Sequence, residues 1–178
     1  DASLNVFVSG TFQNTSDFDP SAATFTMTSL GQDDNFILKL DGLGNFGWAK
    51  SFGSTWVDGN GSLAIDNVGN VVTTGGYTSP VDFDPGPATY TLAPPSGADD
   101  IFILKLDPSG NFVWVDQIGA VGYDKATSMA IDVANNIYIA GSFQNTVDFD
   151  PGTGVFNLTV SGSTDIFVAK VNSNGNFV

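Results

Sequence analysis

The chain contains no cysteine, histidine, glutamate or arginine. Without thiol or imidazole it has no thiolate nucleophile, no imidazole base, no disulfide and none of the usual zinc or haem ligand sets. Asp, Lys, Tyr, Ser and Thr are the groups left for catalysis. Charged helix formers are also scarce: the 5 bases are all Lys and the 19 acids are all Asp. No apolar run approaches the ~18 residues needed to cross a bilayer. No basic-then-apolar leader opens the sequence, so any export signal is expected to be removed or to lie outside it.

What is present points to strands. The 178 residues are 42% hydrophobic, enough for a real core, and include 21 Gly with abundant Asn, Asp, Ser and Thr. That balance predicts an all-β chain of short strands joined by tight turns. A net charge of -14 would repel nucleic acid and anionic membrane, leaving a cation or a neutral surface as the expected partner. Cysteine absence fits an extracellular protein stabilised by packing.

The sequence is one unit written three times, with Asp17, Asp82 and Asp148 in register and Lys39, Lys105 and Lys170 likewise. The expected boundaries are 1–65 for repeat 1, which lacks its first inner strand, 66–131 for repeat 2, and 132–178 for repeat 3, which is truncated. Each unit reads as S-x-A-I, then N-V-V-T-T-G or its copies, then a polar strand after D-F-D-P, then D-I-F-I-L-K-L-D, then N-F-V-W-V-D. The segments D-P-S-G-N (107–111) and D-N-V-G-N (66–70) carry hairpin-turn chemistry, with Gly where φ must be positive. In the copy at 1–5 a Leu takes that place, which predicts a distorted or absent first hairpin.

Antiparallel units of this size cannot bury both faces alone and must stack on neighbours. Radial stacking gives a β-propeller, whose blades are four-stranded sheets. Gly10, Gly75 and Gly141 suit a close backbone approach where blades crowd together, and Phe12, Tyr77 and Phe143 read as inter-blade packing.

The pattern S-M-A-I-D-x-x-x-N-I-Y-I-A-G-S-F, then D-F-D-P, then D-I-F-V-A-K-V-N-x-x-G-N resembles the bacterial seven-bladed β-propeller repeat family of secreted and cell-surface proteins. The resemblance covers essentially the whole chain and implies a fold rather than an activity. With fewer than three full units, the chain is incomplete as an isolated ring, since closed propellers need at least four blades.

Asp17 and Asp19, Asp82 and Asp84, and Asp148 and Asp150 flank Phe18, Phe83 and Phe149 in the recurring D-F-D-P stretch. Residues two apart in an extended chain face the same way. As a calcium site, such pairs lack the third acid of Asp-rich loops, its place being taken by Ser21, Gly86 or Gly152. As turns, the carboxylates cap backbone amides, Pro fixes φ, and Phe pins the loop to the core. The turn reading is preferred and no cofactor is expected. Calcium at these six carboxylates, completed by carbonyls and water, is the alternative.

Asp33–Asp34 and Asp99–Asp100 read as solvated strand starts, because neighbours on a strand face opposite ways. The three repeated Lys are expected to snorkel or to pair with an Asp of a neighbouring strand or blade. Trp48 and Trp114 read as core, whereas Trp56 has no copy and is the candidate surface contact, with Asp58 and Asn60 beside it. Sequons start at Asn14, Asn60 and Asn157.

These readings converge on a non-enzymatic extracellular or cell-surface structural or adhesive module, a segment of a longer β-propeller protein or the protomer of a surface fibre. Expected partners are neighbouring repeats or copies of itself through strand edges, with segments 5–10 and 172–178 at an interface or cut edge. A glycan- or protein-binding propeller module is the alternative. A calcium-stabilised lectin-like domain or an enzyme scaffold follows it. Nucleic acid and membrane insertion are not expected.

Overall fold

The computed structural model describes residues 1–95 and 98–178, and among them there are sixteen strands and no helix. The first sheet contains β1 (Val6–Phe12), β4 (Asp34–Leu40) and β5 (Phe46–Phe52), with a small ribbon of β2 (Thr15–Asp17) and β3 (Thr26–Thr28) inserted after β1. The second contains β6 (Gly59–Ile65), β7 (Val71–Tyr77), β10 (Asp100–Leu106) and β11 (Phe112–Ile118), with β8 (Val81–Asp82) and β9 (Thr91–Leu92) as its ribbon. The third contains β12 (Lys125–Ile131), β13 (Ile137–Phe143) and β16 (Asp165–Val171), with β14 (Thr146–Asp148) and β15 (Asn157–Thr159) as its ribbon.

All pairing is antiparallel. Sheet two is a complete four-stranded blade, in the order β6-β7-β10-β11. The S-x-A-I strands β6 and β12 each open a sheet by pairing with the strand that follows.

The blades stack face to face, and period-two alternation on β10 shows why. Phe102, Leu104 and Leu106 pack toward blade 1 with Ile37 and Phe52. Ile101 and Ile103 pack toward blade 3 with Ile137, Ile139 and Phe167. Every residue of β10 is therefore buried, as expected for a strand covered on both faces. β16, its counterpart in blade 3, is buried on one face only, with Ile166 85% and Val168 73% exposed. The stack does not close into a ring.

The turn at 1–5 keeps a regular shape with Leu at its left-handed position. Leu4 adopts φ 64, matching Asn135 at φ 61 and Gly69 at φ 90. Its amide donates to the Asp1 carbonyl at 3.0 Å, as Gly69 does to Asp66 at 3.1 Å. The Asp1 carboxylate accepts the amides of Ser3 and Asn5 and the Asn5 side chain. These bonds hold the turn in shape against the steric cost of a left-handed Leu, ~1–2 kcal/mol.

Candidate functional site

The D-F-D-P stretches sit where each outer ribbon leaves its blade. Asp82 Oδ1 accepts the amides of Asp84 (3.1 Å) and Tyr90 (2.8 Å), and Asp84 Oδ1 accepts that of Gly86 (2.7 Å). Asp148 and Asp150 do the same with Asp150, Phe156 and Gly152, and Asp17 and Asp19 with Asp19, Phe25 and Ser21. The amides of Phe25 and Asp19 hold the Asp17 carboxyl below the usual range. In all three copies one oxygen of each carboxylate is thus engaged in shaping the loop. Among the described residues, no group of three or more acids is arranged to hold a metal ion.

Between the two acids, Phe18, Phe83 and Phe149 enter the blades. Phe83 is 0% exposed, with its ring 5.0 Å from Phe102 and 5.4 Å from Tyr77. Phe149 meets Phe143 and Phe167, and Phe18 meets Phe12 and Phe36, at similar spacing. Gly10, Gly75 and Gly141 lie opposite Phe36, Phe102 and Phe167 across the strand pair. A Cβ on any of these glycines would come 2.9 Å from the facing ring. At Gly75 and Gly141 that Cβ would also strike the backbone carbonyl of Gly59 or Lys125 on the first strand of the same blade, so the crowding that demands glycine lies within the blade and not between blades.

The blade interfaces carry a second repeated device. Lys39 Nζ (3.1 Å) and Trp48 Nε1 (3.2 Å) both donate to the Pro108 carbonyl in the β10–β11 turn of the next blade. Lys105 Nζ (3.1 Å) and Trp114 Nε1 (3.3 Å) both donate to Ser173, in the corresponding turn of blade 3. Trp48 and Trp114 are half-buried and pack at the rims of the apolar clusters rather than deep in the core. Lys105 also forms a buried ion pair with Asp66 (3.0 Å). Lys39 lies over the ring of Phe7, and Lys170 over that of Tyr138. Of these three Lys, only Lys105 pairs with an Asp among the described residues.

The acidic pairs before β4 and β10 are not both solvated. Asp34 is 2% and Asp100 0% exposed, and each side chain fills the space left by a glycine across the strand, Gly53 or Gly119. Asp34 Oδ2 accepts the Leu30 amide, and Asp100 Oδ2 accepts Gln117 Nε2 at 3.1 Å. The Oδ1 atoms of both, and that of Asp58, have no hydrogen-bond partner among the described residues. Burial pushes Asp58 up to about 6 and Asp100 up to about 7, with Asp34 and Asp99 adding to the first and Asp124 and Asp99 to the second.

Trp56 is 60% exposed in the β5–β6 loop, next to Val57 at 46%. The Asp58 side chain beside it is buried and receives the Ser54 amide, and Asn60 donates to Ser9 Oγ. These polar neighbours are spent internally and leave Trp56 as an apolar projection. A cleft of ≈ 540 Å³ opens at the turn end of the blades, lined by Asp1, Lys39, Asp66, Pro108 and Asp132 among others. At the sequons, Asn14 and Asn157 are exposed and Asn60 half-buried.

Sequence reasoning did not find the Lys-Trp clamp, because its acceptor is a backbone carbonyl in the next unit. The signal available was the shared spacing of Lys39 with Trp48 and of Lys105 with Trp114, nine residues in each case.

Residues 113–142 match the family model described as Beta-propeller repeat, a stretch running from β11 through β12 to β13. An "uncharacterized WD repeat-containing protein" of Acanthamoeba polyphaga mimivirus is 33% identical over 161 residues, covering 82% of this chain and 11% of that protein. The "regulatory protein FlaEY" of Caulobacter vibrioides is 26% identical over 146 residues, covering 82% of this chain and 15% of that protein. The chain therefore spans only a small part of the length of either relative. It is a repeat module of the β-propeller kind.

Proposed function

We propose that this chain of the β-propeller repeat family is a non-enzymatic structural module, working outside the cell or at its surface, whose end blades stack on further blades. The observation that carries the reading is the reuse of one face. The residues buried between blades 2 and 3, such as Ile101 and Ile103 at 0% exposure, have counterparts Ile166 and Val168 that stand open at the end of blade 3. The repeated polar groups support the same reading, because Asp carboxylates are spent on turns and Lys and Trp donors on clamping the next blade. An acidic, cysteine-free chain suits a structural role outside the cell.

Labelling intact producing cells with a membrane-impermeant amine reagent tests the placement. Lys125, whose side chain is 59% exposed, is expected to be modified on intact cells, while Lys105 at 7% is spared. Modification of Lys125 only after lysis overturns the extracellular reading.

Exposed Trp56 favours a second reading, a module that binds a neutral glycan or protein surface through an apolar projection. A Trp56→Ala variant that retains all binding to a glycan panel or partner bound by the parent chain removes it.

A further inference from the structure

Blade 2 departs from the repeat at one place where its fold does not require it. Gly59 at the start of β6 stands directly opposite Gly76 near the end of β7. The same two places in blade 3 are held by Lys125 and Ser142, again directly opposite each other. A glycine inside a strand weakens it, so an opposed pair calls for a reason. Packing supplies none. A Cβ at Gly59 would come no closer than 3.8 Å to another atom, and one at Gly76 no closer than 3.9 Å, both ordinary contacts. Neither residue has a left-handed backbone. Gly61 is different, because a Cβ there would meet the Ala126 carbonyl at 2.6 Å.

What the pair leaves is space. With Gly61 it floors a cleft of ≈ 410 Å³ between β6 of blade 2 and β12 of blade 3, a volume within the range of small-molecule sites. Every lining residue belongs to these two blades or to the loops that enter them, and both blades have their first strands in place. Val57 and Ala126 give the cleft an apolar wall, and Thr78 and Thr127 bring hydroxyls. Lys125 and Asp99 complete it as an ion pair 3.2 Å apart, with 59% and 20% of the side chains exposed. A pair this open contributes little to stability, which leaves its polar atoms for a ligand.

The charges around the cleft select among ligands. Asp99 acts on the buried carboxyls of Asp58 and Asp100, and its carbonyl accepts the Asp124 amide at 2.7 Å, so acids crowd behind it. An anion would be repelled by them. A cation would have to displace Lys125 from Asp99. A neutral polyol keeps the pair intact, because one hydroxyl donates to the carboxylate while its neighbour accepts from the ammonium. We infer that this cleft binds a neutral sugar, with Asp99 and Lys125 holding adjacent ring hydroxyls, Val57 and Ala126 meeting the C–H face, and the opposed glycines making room for the ring. The inference goes beyond the structural-module reading. It also places glycan recognition away from Trp56, which is not among the lining residues.

Filling the cleft tests this. The parent chain is titrated with the methyl glycosides of glucose, galactose and mannose, read by NMR, and is expected to bind at least one of them. Gly59→Val and Gly76→Val should each weaken that binding roughly tenfold or more, while thermal midpoints hold or rise. Lys125→Met, at an exposed pair, should weaken it by a similar factor and leave the midpoint in place. Trp56→Ala should bind as the parent does, and glucuronate should bind less well than methyl glucoside. A parent chain that binds none of the three glycosides at their solubility limit overturns the inference. So does binding indifferent to the three cleft variants, or a preference for glucuronate. A fall in midpoint for both valine variants would show that the glycines serve the fold, which also overturns it. Binding lost in Trp56→Ala and kept in the cleft variants returns recognition to the apolar projection. None of these outcomes bears on where the chain is located or on how its blades stack, so failure here is separable from failure of the structural reading.

Discussion

Lys105 Nζ lies 3.0 Å from Asp66 Oδ2, with 7% and 2% of the two side chains exposed. The pair ties the third strand of blade 2 to its β6–β7 turn, and the same ammonium reaches on to the Ser173 carbonyl of blade 3. One cation thus links a turn, a strand and the next blade.

Lys105→Met is expected to cost ~3–5 kcal/mol, because it strands the Asp66 carboxylate in a buried site. Lys39→Met should cost less, since Lys39 has a carbonyl and a ring as partners and no carboxylate. Urea midpoints of the two variants decide the order. Equal losses would show that the ion pair adds nothing to the clamp.

Stability is expected to fall as pH rises from about 4 to about 7. Burial raises Asp58 and Asp116 to about 6 and Asp100 to about 7, so the folded chain keeps protons that the unfolded chain has released. Such groups stabilise fully below the unfolded value and lose that contribution as pH climbs through the folded one. Asp41 and Asp132 have the opposite sign. The amides of Asn45 and Asn136 hold them low, and their contribution is lost as pH drops below about 4. Urea midpoints should therefore peak on the acid side of neutrality, and Asp100→Asn should flatten the decline toward pH 8. A midpoint that climbs steadily from acid to pH 8 in the parent chain would refute the assignment.

The repeat was legible because its register is written in letters with narrow structural meaning: Gly after Asp-x-x, D-F-D-P, and alternating apolar runs. β10 could be drawn from D-I-F-I-L-K-L-D, yet its burial on both faces depends on which blade stands on either side. Asp34 and Asp100 were misjudged for a related reason. An acid beside an acid looks solvated in one dimension, and the glycines that make room for them, Gly53 and Gly119, are nineteen residues downstream. The turn at Leu4 keeps its shape because three hydrogen bonds donated to the Asp1 carboxylate outweigh the residue preference at one position.

Phe83→Ala is expected to destabilise by ~3–5 kcal/mol and Asp82→Asn by ~1 kcal/mol. The ring is fully buried among Phe52, Tyr77 and Phe102, whereas an Asn keeps an oxygen for the Asp84 and Tyr90 amides. Urea unfolding compares them directly. Similar losses would mean that the turn, and not the ring, anchors the ribbon.

Calcium should have little effect on the thermal midpoint, because the D-F-D-P carboxylates already satisfy loop amides. Scans in millimolar calcium and in chelator are expected to superimpose. A large rise with calcium would reveal a preferential site in the folded chain and return Asp17, Asp82 and Asp148 to consideration as ligands.

Tyr77→Phe is expected to stabilise the chain, against the usual sign of core substitutions. Tyr77 is 0% exposed and its hydroxyl has no hydrogen-bond partner among the described residues. Phe12 and Phe143 fill the same place in the other units, so the ring site is built for a hydrocarbon edge. Burial raises the Tyr77 hydroxyl far above its ordinary value, and the nearby Asp100 carboxylate raises it further, so ionisation gives no relief. An unsatisfied buried hydroxyl costs ~1–3 kcal/mol, and removing it while keeping the ring should recover most of that. The urea midpoint should rise with an unchanged slope, since the surface exposed on unfolding is nearly the same. A fall in the midpoint would show that the hydroxyl has a partner in solution, with Asp100 the carboxylate placed to be it.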